Sequence, residues 1–279
     1  MEKSSAPPED SYRLHRRFDR MSRLIGEEAM VRLRNSHVMI IGLGGVGSWA
    51  AEAIVRSGVG TVSIVDFDEV CITNTNRQLQ ALGGNTGEKK AQVLADRFKS
   101  INPSCDIRPY VEFYNAATSE KLLTPKPDFL IDAIDNITAK CHLIHACRTQ
   151  GIPLVCSTGS GGRTDPTQVR VIDLAKTERD PLARSVRKIL RQQYGFPEKG
   201  NFGIHAVISL EEPRDPFPPS YDGPGGFKCL CTTKDNPYNN CDQKNLIMGN
   251  ASYVTGTFGF TCASVVIEKL LTPNQELVS

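Results

Sequence analysis

At 279 residues the chain is long enough to bury a substantial core in one large α/β domain. Lys and Arg total 33 against 31 Asp and Glu, so the overall charge demands no polyanionic partner, although a local basic patch can still bind one. Nine cysteines, an odd number in no regular framework, argue against a disulfide scaffold and read as reduced thiols. The N-terminus lacks the apolar core of a secretion signal and no apolar run has the length of a membrane span, so a cytoplasmic protein with no membrane association is expected.

Residues 1–11 are polar and proline-containing and read as a disordered leader, with residues 12–279 as a single domain. The stretch 12–33 is charged and helical in pattern, with Arg16, Arg17, Arg20 and Arg23 on successive turns. A short apolar strand, 37–41, leads into Gly42-Leu43-Gly44-Gly45-Val46-Gly47 and a helix over 47–57. A second strand, 61–65, ends at Asp66. This strand–loop–helix–strand unit opens a doubly wound, mostly parallel Rossmann-like sheet.

The alternation continues with a helix over 87–100, strands over 106–112 and 129–132, a helix over 137–149 and a strand over 153–157. Beyond the link Gly159-Ser160-Gly161-Gly162, the strand 167–173 reads as an added antiparallel portion in the C-terminal half. A basic helix over 182–194 follows. The stretch 211–245 is rich in Pro, Gly and Asn and reads as a long surface excursion. A small-residue, apolar helix over 251–271 closes the chain.

The glycine loop between strand and helix makes a phosphate site, since the glycines permit close backbone approach and the helix N-terminus offers free N–H groups. Alone it says only dinucleotide or ATP. Asp66 or Asp68, at the end of the next strand, can accept from ribose hydroxyls. Asn74 and Arg77 follow closely, and they separate the alternatives. A dehydrogenase needs no cation against a triphosphate, whereas an ATP-splitting enzyme must neutralise charge growing on pyrophosphate. Lys90 by itself reads as a solvated helix lysine; beside Asn74 and Arg77 it reads as a second phosphate charge. In Asp132-Ala133-Ile134-Asp135-Asn136, Asp135 has the chemistry of a Mg²⁺ ligand, and Asp132 reads equally as a structural cap. Trp49, the single Trp, reads as core.

The stretch 40–78, with Gly87-Glu88-Lys89-Lys90 and 132–136, resembles the ubiquitin-activating-type adenylating enzymes, which include activators of the sulfur carriers of molybdopterin and thiamine synthesis. Residues 47–53, 159–168, 173–177, 180–183 and 257–260 narrow the resemblance to the tRNA threonylcarbamoyladenosine dehydratases, over almost the whole chain. It weakens in the leader and over 197–245.

The resemblance implies ATP as co-substrate and Mg²⁺ as cofactor. Gly42, Gly44, Gly45 and Gly47 would cradle phosphates, Asp66 would hold the ribose with Asp68 close by, and Asn74, Arg77 and Lys90 would hold the triphosphate. Asp135 would carry Mg²⁺. It also implies a homodimer in which an N-terminal arginine reaches the partner's phosphates, with Arg20 at the motif position and Arg23 its competitor. The implied substrate is tRNA carrying threonylcarbamoyladenosine. Arg184, Arg187, Lys188 and Arg191 form a basic helix face, solvated by default and, through the resemblance, a tRNA phosphate contact. The alternative is an activator of a ubiquitin-like sulfur carrier, with a sulfur-transfer partner. The paired Cys-x-x-Cys zinc motifs common in those enzymes are absent, and Cys229, Cys231 and Cys241 lack a clear fourth ligand. Cys241 reads as a plain loop thiol or a sulfur acceptor.

Overall fold

The computed structural model describes residues 16–217 and 247–272. The expected leader, most of the 211–245 excursion, and Cys229, Cys231 and Cys241 lie outside the described residues.

The N-terminal helical stretch is two helices rather than one. Helix α1 (Asp19–Ile25) and helix α2 (Glu27–Arg34) are separated by Gly26, whose φ of 86° breaks the helical path. Strand β1 (His37–Ile41), helix α3 (Gly47–Arg56) and strand β2 (Thr61–Val65) then form the expected unit. Helix α4 (Lys90–Ile101) starts three residues later than expected, because Gly87 has φ 92° and Lys89 is extended. Strand β3 (Asp106–Tyr110), strand β4 (Phe129–Asp132), helix α6 (Ile137–Gln150) and strand β5 (Leu154–Ser157) follow. The short helix α5 (Ala116–Leu122), between β3 and β4, has no apolar periodicity long enough to be read in sequence.

Among the described residues seven strands form one sheet in the order β3-β2-β1-β4-β5-β7-β6. The first five are parallel, and strand β7 (His205–Ser209) pairs parallel to β5. Strand β6 (Val169–Asp173) runs antiparallel to β7 at the edge, which is the expected antiparallel portion. Strand β7 went unread in sequence: its HAVIS segment is too short to set apart from a loop until β6 and β5 flank it.

Both faces of the sheet are covered. On β1, Val38 and Ile40 join one buried cluster and Met39 and Ile41 the other, so a continuous apolar strand serves two cores at once. Helix α7 (Pro181–Tyr194) belongs to the second cluster through Ala183, Val186 and Leu190.

Helix α8 (Ser252–Leu271) corrects the expectation that no apolar segment reaches membrane length. By length and composition its 20 residues, with mean hydropathy 1.3, suffice to cross a membrane. Here Val254, Phe258, Cys262 and Val266 are buried in the first core. Gly259 allows it to lie on α3, since a Cβ there would stand 2.5 Å from the Val46 carbonyl oxygen. Half of the apolar window is buried in this way, as in the core helix of a folded domain.

Candidate active site

The parallel strands β1, β2 and β4 end at one edge of the sheet, and their loops surround a cavity of about 530 Å³. Gly42 makes the first turn with φ 92°, where a Cβ would stand 2.7 Å from the Ala133 carbonyl oxygen. At Gly47 a Cβ would meet the Gly42 carbonyl oxygen at 1.7 Å. The loop therefore folds back on itself against the β4 loop, and only glycine fits. Helix α3 begins straight after it, and no side chain caps its N-terminus. Val46, at that N-terminus, borders the cavity, so the positive end of the helix dipole lies beside it. Ser48 Oγ donates to the Gly44 carbonyl at 2.8 Å, and Gln80 Nε2 to the Leu43 carbonyl at 2.7 Å, so the loop is braced from two sides.

Asp66 is buried at the end of β2. Its Oδ2 accepts the Leu43 N–H at 2.6 Å and its Oδ1 the Asp68 N–H at 2.8 Å. Burial pushes its pKa up, opposed by the Lys90 cation, with the Asp68 carboxylate adding to the rise. Lys90 is the first residue of α4 and is buried, with Nζ 2.9 Å from Asp68 Oδ2. Burial works against its charge, but Asp66 and Asp68 outweigh burial and the pKa rises. Lys90 is therefore a fixed cation and not a solvated helix lysine.

Asn74 closes a 3-10 turn (Ile72–Asn74) and is buried, its Oδ1 accepting the Cys71 N–H at 3.2 Å. Arg77 is half-buried and donates from Nη1 to the Thr73 carbonyl at 3.0 Å and to Asn76 Oδ1 at 3.1 Å. Burial draws its pKa down, with the Asp135 carboxylate among the groups that oppose this. Asp135 is exposed at the cavity, on the loop after β4. Asp132 takes the structural role: it is fully buried, pairs with Lys140 at 2.7 Å and accepts the Ile134 N–H at 3.1 Å.

Gly42, Gly44, Gly45, Asp66, Asp68, Asn74, Arg77, Lys90 and Asp135 all border the cavity, while Gly47 lies behind it as the steric partner of Gly42. Arg20 does not: it is exposed on α1. Arg23 is tied to Asp19 at 3.0 Å. The basic helix face is divided. Arg184 and Lys188 are exposed. Arg187 donates to Thr177 Oγ1, and the Arg191 guanidinium lies 5.2 Å from the centre of the Phe202 ring.

Several residues of the site were not read from sequence. Phe67 and Phe113 meet edge to face at 5.1 Å and give the cavity an apolar wall beside Asp66. Trp49 is not core but half-buried, its Nε1 bonded to the Arg77 carbonyl. A second wall comes from the loop after β5, the first turn of α7, and Ile247, Met248 and Asn250. Of these the glycine-rich 159–162 segment and the 180–183 stretch carried a signal in the sequence, whereas Ile247, Met248 and Asn250 carried none.

The ThiF family model matches residues 18–278. The tRNA threonylcarbamoyladenosine dehydratase of Haemophilus influenzae is 40% identical over 94% of this chain and 95% of its own length. The enzyme of that name from Escherichia coli is 39% identical over 91% and 93%. The solved structure of the E. coli tRNA N6-threonylcarbamoyladenosine dehydratase TcdA in complex with ATP superposes with a TM-score of 0.79, at 38% identity, covering 93% of this chain and 95% of that one. The adenylyltransferase and sulfurtransferase MOCS3 of Drosophila ananassae is 31% identical, but over 50% of this chain and 30% of its own length. A likeness that spans nearly all of both chains for the dehydratases, but half of this chain and less than a third of the adenylyltransferase and sulfurtransferase, settles the kinship: the chain belongs to the ThiF family and, within it, to the tRNA threonylcarbamoyladenosine dehydratases.

Proposed function

We propose that this chain uses ATP to cyclise the threonylcarbamoyl group of a tRNA adenosine. The observation that carries this reading is the convergence of Asn74, Arg77 and Lys90 on one cavity with the glycine loop and Asp66. Hydride transfer has no use for two cations, Arg77 and Lys90, beside a neutral amide donor, whereas departure of pyrophosphate requires such charge.

The glycine loop and the α3 N-terminus would take the phosphates, Asp66 the ribose, and the Phe67–Phe113 wall the base. Arg77 presents a planar fork to phosphate oxygens, and Lys90 a point charge held in place by Asp68. The threonyl carboxylate attacks the α-phosphate of ATP, forming an acyl adenylate and releasing pyrophosphate. The neighbouring carbamoyl group then attacks the activated carbonyl, gives up its proton, closes a five-membered ring and expels AMP. The second step is intramolecular, so positioning supplies much of the acceleration and no enzyme nucleophile is required.

The donor set suits Mg²⁺. Among the described residues no group of three or more His, Cys, Asp or Glu side chains gathers into a metal cage. Of the carboxylates that border the cavity, Asp66 is held by two backbone N–H groups and Asp68, Glu69 and Glu112 are paired with lysines, whereas Asp135 is exposed. Mg²⁺ usually takes one or two carboxylates and completes its shell with phosphate oxygens and water. Held by Asp135, it would neutralise charge on the phosphates.

A cytoplasmic homodimer is the accompanying assembly, with exposed Arg20 reaching the partner's phosphates. On α7, Arg184 and Lys188 are the leading tRNA phosphate contacts, with Arg187 and Arg191 contributing less because each is engaged within the chain.

The test is ATP turnover by the purified protein with tRNA bearing threonylcarbamoyladenosine, with mass analysis of the digested nucleosides. AMP formation and loss of one water from the modified nucleoside are expected. Arg77→Ala and Lys90→Ala should abolish turnover while leaving the fold intact; full turnover in either removes that residue from the mechanism. AMP or pyrophosphate exchange without the mass change would move the substrate to a carrier protein or another carboxylate.

A further inference from the structure

Two stretches, 159–168 and 180–183, carry the resemblance to the dehydratases, yet none of the roles above falls on them. In the fold one buried ion pair joins them. Arg163 Nη2 lies 3.3 Å from Asp180 Oδ2, with the two side chains 1% and 0% exposed.

The pair grips a single residue through both of its backbone groups. The Gly159 N–H donates to Asp180 Oδ2 at 2.9 Å, and the Gly159 carbonyl accepts from Arg163 Nη1. Arg163 directs its other donors to the carbonyls of Glu211 and Arg179, both at 3.2 Å. The second oxygen of Asp180 accepts the Ala183 N–H at 2.6 Å and so caps α7. Two side chains therefore set both the backbone at Gly159 and the first turn of the basic helix.

That backbone faces the reaction. Gly159, Ser160, Gly161 and Leu182 border the cavity, on the wall that holds none of the triphosphate cations. Exposed Arg184 stands two residues beyond Leu182 in the same turn of α7. A buried ion pair is a poor means of gaining stability, because desolvation offsets most of its attraction and well-packed apolar side chains serve as well. What it provides is fixed geometry, here applied to the backbone of one glycine.

We infer that Arg163 and Asp180 are positioning residues for the acyl substrate. They hold the 159–161 wall where the threonylcarbamoyl group lies, and they tie it to the helix that meets tRNA phosphates. The modified side chain and the tRNA backbone are thus placed by one rigid unit. This rests on the dehydratase reading above.

The test compares the full-length wild type with Arg163→Lys, which keeps the cation but not the fork, and Asp180→Asn, which keeps an acceptor towards Ala183 but loses the charge. ATP affinity is measured by titration calorimetry, and kcat and KM for modified tRNA by nucleoside mass analysis. In both variants kcat/KM for tRNA is expected to fall about tenfold or more, as a small misplacement of a bound substrate produces, while ATP affinity stays within about twofold. Wild-type tRNA kinetics in both variants, or parallel losses of ATP affinity and tRNA turnover, would overturn the inference and leave a purely structural pair. A wild-type protein that forms AMP without dehydrating the nucleoside overturns the functional reading itself, and the acyl assignment with it.

Discussion

The indole N–H of Trp49 donates to the backbone carbonyl of Arg77 at 3.0 Å. Trp49 sits in the first turn of α3, immediately after the glycine loop, so this bond ties the arginine's segment to the helix whose N-terminus faces the cavity. Its ring also meets Phe260 of α8 at 5.9 Å, edge to face. Trp49→Phe keeps an aromatic ring and removes the donor. Turnover of ATP with modified tRNA is expected to fall about two- to tenfold, the worth of one hydrogen bond, with little change in melting temperature. Unchanged turnover would show that Arg77 needs no such anchor.

The glycines of the loop separate folding from binding. At Gly44 an added Cβ would meet nothing nearer than Gln78 Nε2 at 4.0 Å, whereas at Gly47 it would meet the Gly42 carbonyl oxygen at 1.7 Å. Gly44→Ala is therefore expected to fold normally and to lose ATP affinity, because the space it fills belongs to the ligand. Gly47→Ala is expected to destabilise the protein by about 2 kcal/mol or more, as a forced backbone shift does. Melting curves and ATP titration of the two variants distinguish these outcomes; normal ATP affinity in Gly44→Ala would place the phosphates elsewhere.

Glu52 offers a pH test of stability. Burial opposes its ionisation, but charged hydrogen bonds from Arg97 and Arg56 outweigh burial and hold its pKa below the ordinary 4.5. A carboxylate with a depressed folded-state pKa contributes stability that is present above its unfolded value and lost as pH falls through the folded one. Urea midpoints should therefore drop on acidification below about pH 4.5, the unperturbed value, and Glu52→Gln should be less stable at pH 7 with a flatter acid limb. Parallel acid limbs in the two proteins would exclude Glu52 as a contributor.

The basic helix makes a salt-dependent prediction. Arg184→Gln and Lys188→Gln should each weaken tRNA binding and lower the slope of log affinity against log salt by about one, with ATP affinity unchanged. Arg187→Gln should in addition lower the melting temperature, since Arg187 is bonded to Thr177. A salt slope equal to wild type in the Arg184 and Lys188 variants would move the tRNA track off α7.

The gathering of the glycine loop, Asp66, Asn74 and Arg77 at one cavity was legible in the sequence, because its signals are local. A glycine loop, the acid at the end of β2, and Asn74 and Arg77 just beyond lie within one continuous stretch. Neighbours in sequence at a strand end are neighbours in space. The alternating apolar segments likewise specify parallel strands and covering helices, since periodicity and burial are set residue by residue. Gly26, Lys89 and β7 mark where local pattern runs out: backbone φ, a cap and a strand between two others depend on what packs against them.

The rest of the arrangement depends on contacts between distant residues, on both sides of the cavity. Arg163 and Asp180 are 17 positions apart, and Trp49 and Arg77 are 28 apart, yet each pair meets within hydrogen-bond distance. Which cation is buried, which acid is neutralised and which loop is pinned are properties of dielectric and proximity. Sequence supplies the donors and acceptors. Only the folded domain, by excluding water and bringing Asp68 to Lys90, Asp132 to Lys140 and Asp180 to Arg163, decides which of them are spent on structure and which stay open to a substrate.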